Sequence, residues 1–248
     1  VASRRAIVVA SYDPRAGHAG AATSSFAVDV AGRTLVECQV AALEDAGVSH
    51  VTIVAPGVVP DVLRQQFAGR AHVLDDDAGT WPGGLHALLR ARDALASGAL
   101  IVHGASVFTG RLVEHVAQHP APDVLVYAPG HPEKDTAARV RLAGPYVIDV
   151  GRHVVGADVA GESVGLVKLG PEGARRLVSL LHVLAEDADA DAPAWQALAR
   201  LARTWPIVAL DTGGHSWARL DTPDDAAHPG PFARRAGSAP AAVSARRS

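Results

Sequence analysis

Two stretches decide the fold: Gly161–Lys168, GESVGLVK, and Trp217–Asp225, WARLDTPDD. Inside the first, Val164–Lys168 reads as a strand returning to a main sheet. Just after it, Gly170-Pro171-Glu172 opens a helix with proline at its first position, running to about Ala185. Between the two stretches lie a second helix, Pro193–Arg203, and a last strand, Ile207–Asp211. Asp221-Thr222-Pro223-Asp224-Asp225 has the chemistry of a helix start.

Upstream, strand and helix alternate. Ala6–Ser11 (AIVVAS), Val51–Ala55 (VTIVA), Ala99–His103 (ALIVH) and Val124–Tyr127 (VLVY) are apolar strands, with a shorter one at Ala71–Leu74. Helices are expected at Arg33–Ala46, Pro60–Phe67, Gly84–Ala96 and Gly110–Gln118. In the first, Leu35, Val36, Val40 and Leu43 share a face and Gly47 ends it. Apolar strands flanked by helices imply a parallel sheet covered on both faces. Ser11–Val30 is a long loop. Arg139–Leu142, Tyr146–Val150 and His153–Val155 are short and separated by Gly turns, and are expected to add antiparallel hairpins. Residues 1–227 read as one domain, and 228–248, rich in Pro, Ala, Gly, Ser and Arg, as a disordered tail or linker stub.

Composition narrows the function classes. The chain has 248 residues, 48% hydrophobic and 20% charged, enough to bury a substantial core. Its formal net charge of −3 gives no reason to expect nucleic acid or an anionic membrane as partner. Cys38 is the single cysteine, which excludes an intrachain disulfide and a cysteine zinc cluster and fits a reducing cytoplasm. No apolar run approaches the length of a membrane span.

Six pieces in order resemble one family: AIVVA (Ala6–Ala10), Ala31–Gly57, GGLHALLRARDAL (Gly83–Leu95), LIVHGASVF (Leu100–Phe108), GESVGLVKL and WARLDTPDD. The chain resembles the nucleotidyltransferases over roughly residues 5–227. The Gly-Glu-x-x-Gly stretch and the Trp-x-x-x-Asp-Thr stretch are similar to cytidylyltransferases acting on phosphocholine, inositol phosphate or phosphonates. The resemblance implies a Rossmann-like, three-layer, GT-A-type α/β fold, with a mostly parallel central sheet and a small antiparallel extension. It also implies attack of a phosphate oxygen on the α-phosphorus of a nucleoside triphosphate. A glycine-rich loop, basic side chains and two carboxylates holding Mg²⁺ would support that step. Carried onto this chain, nucleotide contacts fall at Ala10, Ser11, Gly83, Gly84, Gly104, Glu162 and Lys168. The loop arginine falls at Arg15, and a catalytic, metal-binding carboxylate at Asp221.

Three departures run against catalysis. The family's Gly-x-Gly-x-Arg loop is Tyr12-Asp13-Pro14-Arg15 here, and a proline donates no N–H to phosphate. The family's lysine falls near Ser25, with no lysine or arginine between Arg15 and Arg33. The first metal aspartate, expected directly after Gly104, is Ala105, and the glutamate two residues before Asp221 is Arg219.

Plainer readings stand beside these. Asp221 also reads as a helix cap, Glu162 as a turn residue, Lys168 and Arg152 as solvated surface, and Gly83-Gly84 as a helix opening. His115 and His119 have metal-ligand spacing without a third ligand nearby and fit a solvated helix face. Three functions remain open. The first is an accessory or ligand-binding homologue with a degraded active site, partnered by a CDP-alcohol phosphotransferase or an active paralogue. The second is an active, CTP-preferring, Mg²⁺-dependent transferase whose phosphate site is rebuilt from Arg15, Arg33 and Lys168, with Asp221 and Asp224 or Asp225 on the metal. The third is a small-molecule sensor.

Overall fold

A computed structural model describes residues 5–9, 29–56, 60–76, 84–130, 137–187, 192–220, 225 and 228–232. The elements follow chain order. First come β1 (Arg5–Val9), α1 (Leu35–Asp45), β2 (His50–Pro56), α2 (Pro60–Gln66), β3 (Ala71–Asp76), α3 (Gly84–Arg90) and α4 (Arg92–Leu95). Next are β4 (Ala99–His103), β5 (Ser106–Phe108), α5 (Gly110–Gln118), β6 (Val124–Pro129), β7 (Arg139–Ala143), β8 (Tyr146–Gly151) and β9 (Val159–Leu169). The last are α6 (Pro171–Asp187), α7 (Ala194–Ala202), β10 (Val208–Asp211), β11 (Trp217–Arg219) and a 3-10 turn at Gly230–Phe232.

Nine strands form one sheet in the order β3-β2-β1-β4-β9-β6-β10-β8-β7, and β7 also pairs with β9. The strands β9, β6, β10, β8 and β7 therefore make a closed circuit at one end of an open sheet. Parallel pairing joins β3, β2, β1 and β4, and joins β6 to β10. All pairings of β9, and those of β8 with β7 and β10, are antiparallel. The sheet is thus mixed, a correction to the mostly parallel expectation. Apolar runs report burial on both faces and say nothing of direction. From Val164 to Leu169 β9 is buried throughout, yet it runs against both its neighbours.

Helices cover both faces. Leu85 and Leu88 of α3, Leu95 of α4, Leu177 and Leu181 of α6, and Leu198 and Leu201 of α7 pack on one side with Ile7, Ile101 and Val167. Val36, Val40 and Leu43 of α1, Leu63 of α2, and Leu112 and Val116 of α5 pack on the other with Val8, Leu100 and Leu166. A smaller cluster of Val30, Leu35, Val107 and Leu220, joined by Cys38, Ala105 and Phe232, lies under the β5–β11 ribbon. Phe232 seats the Gly230–Phe232 turn on the domain.

Local chemistry explains several boundaries. Thr34 caps α1: its Oγ1 accepts from Glu37 N (3.2 Å), and its own N–H donates to Glu37 Oε2 (2.6 Å). Gly84–Ala96 is two helices, a correction, because Ala91 leaves helical geometry with ψ of 11°. Leucine spacing conceals that break because Leu88 and Leu95 are buried on either side of it. His153–Val155 is a turn where a strand was expected, with Val154 N–H satisfied by Gly151 O at 3.3 Å. β5 and β11, of three residues each, are too short to show a strand period in sequence.

Candidate functional site

At the C-terminal ends of β1 and β4 the topology brings together two distant pieces of sequence. The chain leaves β4 at His103, turns at Gly104 and Ala105, and enters β5. There Ser106 pairs with Arg219 of β11, and Leu220 N–H donates to Ala105 O at 2.6 Å. The turn is held from beneath by Gln39 of α1, buried, whose Nε2 donates to Gly104 O (3.3 Å) and Ser106 O (2.9 Å). Residue 105, where the resemblance expects a carboxylate, carries only a methyl group in this turn.

From β9, Glu162 and Ser163 reach the same edge. Two glycines fix this part of β9. A Cβ at Gly161 would run into Ala128 O, and one at Gly165, where φ is 82°, would run into His103 O. The Gly-Glu-x-x-Gly stretch is therefore the sequence trace of a strand irregularity packed tightly on β6 and on the end of β4. Arg219 closes the arrangement. One guanidinium N–H donates to Ser163 O at 2.7 Å, and Nε stands 3.8 Å from Glu162 Oε1. Their side chains are 13% and 17% exposed, so the pair is largely withdrawn from water.

His103 is 9% exposed, and its Nε2 has no hydrogen-bond partner among the described residues. Burial, helped by the Arg219 charge, pushes its pKa down to about 4, so the ring is neutral at pH 7. A buried ring nitrogen without a partner costs roughly 1–3 kcal/mol. His103 was not among the site residues expected from sequence. Its signal was a polar ring ending the otherwise apolar ALIVH strand.

Two expected contacts lie elsewhere. Lys168 pairs with Leu100 and Val124, at the opposite edge of the sheet from Glu162. Its ammonium donates to His119 O at 2.6 Å, and it is 7% exposed. Burial lowers its pKa, opposed by the Asp123 charge. It is a structural lysine and not a surface or pocket one, because six residues of β9, about 20 Å of strand, separate it from Glu162. Gly84 is spent on packing: a Cβ there would meet Ala194 N at 2.8 Å. That contact accounts for the glycine without a ligand. His115 faces His215 across 5.5 Å, and His119 Nδ1 accepts from Ala121 N–H at 3.2 Å. Arg33 is exposed, with Nη2 on Glu37 O at 3.3 Å. Ala10, Ser11, Arg15, Gly83 and Asp221 lie outside the described residues, as do Tyr12, Asp13, Pro14, Ser25 and Asp224.

No family model and no curated protein sequence matches the chain. Solved structures do match. The inositol-1-phosphate CTP transferase from T. maritima superposes with a TM-score of 0.75 at 15% identity, over 91% of this chain and 92% of that one. The CTP:phosphocholine cytidylyltransferase of Streptococcus pneumoniae gives 0.66 at 15% identity, over 89% and 95%.

The chain has the nucleotidyltransferase fold.

Within that fold, the residues that meet at the strand ends are a methyl group, a guanidinium paired with a carboxylate, and a neutral imidazole. At that edge Ala105 offers a divalent cation no donor, and Arg219 sets a positive charge beside Glu162. Among the described residues no group of three or more His, Cys, Asp or Glu is placed to hold a metal.

Proposed function

We propose that this GT-A-type nucleotidyltransferase domain no longer transfers nucleotides efficiently and works as an accessory or ligand-binding unit. The observation that carries the reading is Arg219 beside Ala105, a fixed positive charge at the turn where the family's carboxylates would gather Mg²⁺. Nucleotidyl transfer draws most of its acceleration from positioned charge, and one lost donor is worth roughly 3–4 kcal/mol. Missing the metal aspartate at 105 and the lysine near Ser25 therefore lowers turnover by several orders of magnitude. The shape meanwhile is retained by close contacts at Gly161, Gly165 and Gln39.

The active alternative needs Arg15, Arg33 and Lys168 as replacement bases. Lys168 is tied to His119 O at the far edge, which weakens that alternative. The partner that fits is a CDP-alcohol phosphotransferase or an active paralogue in the cytoplasm. This rests on the company such domains keep in the family. No helix among the described residues is long and apolar enough to cross a membrane.

Thermal shift with CTP, GTP, UTP and ATP, each with Mg²⁺ and with EDTA, separates the readings. The accessory reading predicts no Mg²⁺-dependent stabilisation by any nucleotide. A metal-dependent rise with one nucleotide would favour the active transferase instead.

A further inference from the structure

The fold sets two histidines from distant parts of the chain ring to ring. His115 lies on the exposed side of α5, and His215 follows the Gly213-Gly214 turn between β10 and β11. Their ring centres are 5.5 Å apart, with the ring planes at 43°. The turn is tied down on both sides. His215 N–H donates to Thr212 O (2.9 Å), Gly213 N–H to Asp211 Oδ1 (2.6 Å), and Thr109 N–H, at the start of α5, to Ser216 O (3.3 Å). Among the described residues no hydrogen bond engages a ring nitrogen of either histidine. Of the other histidines, His103 is buried and His153 is held by Asp149 at 3.0 Å.

Imidazole nitrogen is a good ligand for Zn²⁺, Ni²⁺ and Cu²⁺, whereas Mg²⁺ and Ca²⁺ take oxygen. With tetrahedral Zn–N bonds of about 2.0–2.1 Å, two coordinating rings have their centres roughly 5–5.5 Å apart. The His115–His215 separation falls at that distance. The helical spacing of His115 and His119 suggested a different pair. His119 Nδ1 accepts from Ala121 N–H at 3.2 Å, so its neutral ring keeps the proton on Nε2 and has no lone pair to give. The second ligand comes instead from the turn before β11, which helical spacing does not reveal. No third His, Cys, Asp or Glu among the described residues is placed to join the two, so water completes the coordination.

We propose that His115 and His215 form a binding site for a divalent cation of the Zn²⁺, Ni²⁺ and Cu²⁺ class, with two imidazole ligands and water in the remaining positions. The site shares no residue with the Glu162–Arg219 edge. It takes a different class of metal from the Mg²⁺ of nucleotidyl transfer, so it stands whether or not turnover survives. A bound ion clamps α5 to the loop that leads into β11.

The test is calorimetric titration of the full chain with Zn²⁺, alone and in the presence of excess Mg²⁺. Zn²⁺ is expected to bind at a single strong site from which Mg²⁺ does not displace it. His115→Ala and His215→Ala each remove one of two protein ligands and should weaken binding by roughly tenfold or more, since outer-shell partners alone are worth that much. His119→Ala should leave the affinity unchanged. In the wild-type protein, substoichiometric Ni²⁺ should broaden the ring resonances of His115 and His215 ahead of those of the other histidines, a readout that needs no variant to fold. Absence of Zn²⁺ binding, displacement by Mg²⁺, an affinity unchanged in His115→Ala or His215→Ala, an equal loss in His119→Ala, or Ni²⁺ broadening that begins at another histidine overturns the proposal.

Discussion

Single residues show most clearly what this chain has kept. Gly165 holds a positive φ against His103 O, so Gly165→Ala combines backbone strain with a backbone clash. We expect it to destabilise the fold by about 3 kcal/mol or more, measured by urea unfolding. His103 has a folded pKa near 4, below its unfolded value of about 6.5. Between those values the unfolded chain binds the extra proton. The contribution of His103 is therefore complete above pH 6.5 and is lost as pH falls towards 4. At pH 4.5 the loss is about 2–3 kcal/mol, and His103→Phe should remove that part of the pH dependence. A slope equal to wild type would show that the ring is protonated in the folded state. Lys168 makes the opposite point. Lys168→Met deletes an ammonium bound to His119 O and should change stability by only about 1 kcal/mol. The motif position of Lys168 suggested a ligand contact, but its strand partners put it at the wrong edge, a fact that only register reveals.

At the scale of elements, the hydrophobic pattern located the main strands and helices and failed where length or direction mattered. Thr34, Glu37 and Gly47 announce α1 at both ends because capping is local chemistry. β5 and β11 went unnoticed because three residues carry no period, yet this ribbon sets Arg219 opposite Ser106, next to the Gly104–Ala105 turn. The antiparallel course of β9 is equally silent in sequence. One junction was legible only in hindsight. Asp123, just before β6, accepts from Gly170 N–H (3.0 Å) at the start of α6 and from Trp205 Nε1 (2.9 Å) after α7. Gly173 is open enough to admit its carboxylate. Arg176 stacks on Trp205 at 4.2 Å, completing the knot. Asp123→Ala should cost about 2 kcal/mol in chemical unfolding, since it strands two part-buried donors. A loss below about 1 kcal/mol would mean that water replaces the carboxylate.

For the whole molecule, ordered motif fragments sufficed to point to the fold, and superposition on two cytidylyl-transferring enzymes agrees with that despite 15% identity to each. Shape is encoded redundantly, in many small packing decisions, and so survives drift. A catalytic site is encoded in a few charges, and drift removes it quickly. The substitutions at 105 and 219 were readable as missing or reversed charge. Their spatial relation was not, because it depends on the Arg219–Glu162–Ser163 arrangement that only folding creates. The central proposal is that this arrangement leaves nucleotidyl transfer weak or absent. It is tested by pyrophosphate release from CTP, GTP, UTP and ATP with Mg²⁺ over a panel of phosphorylated alcohols and sugars, beside an Asp221→Ala control. The account predicts release at background for every pair, equal in wild type and control. Release well above background that disappears in Asp221→Ala would contradict it.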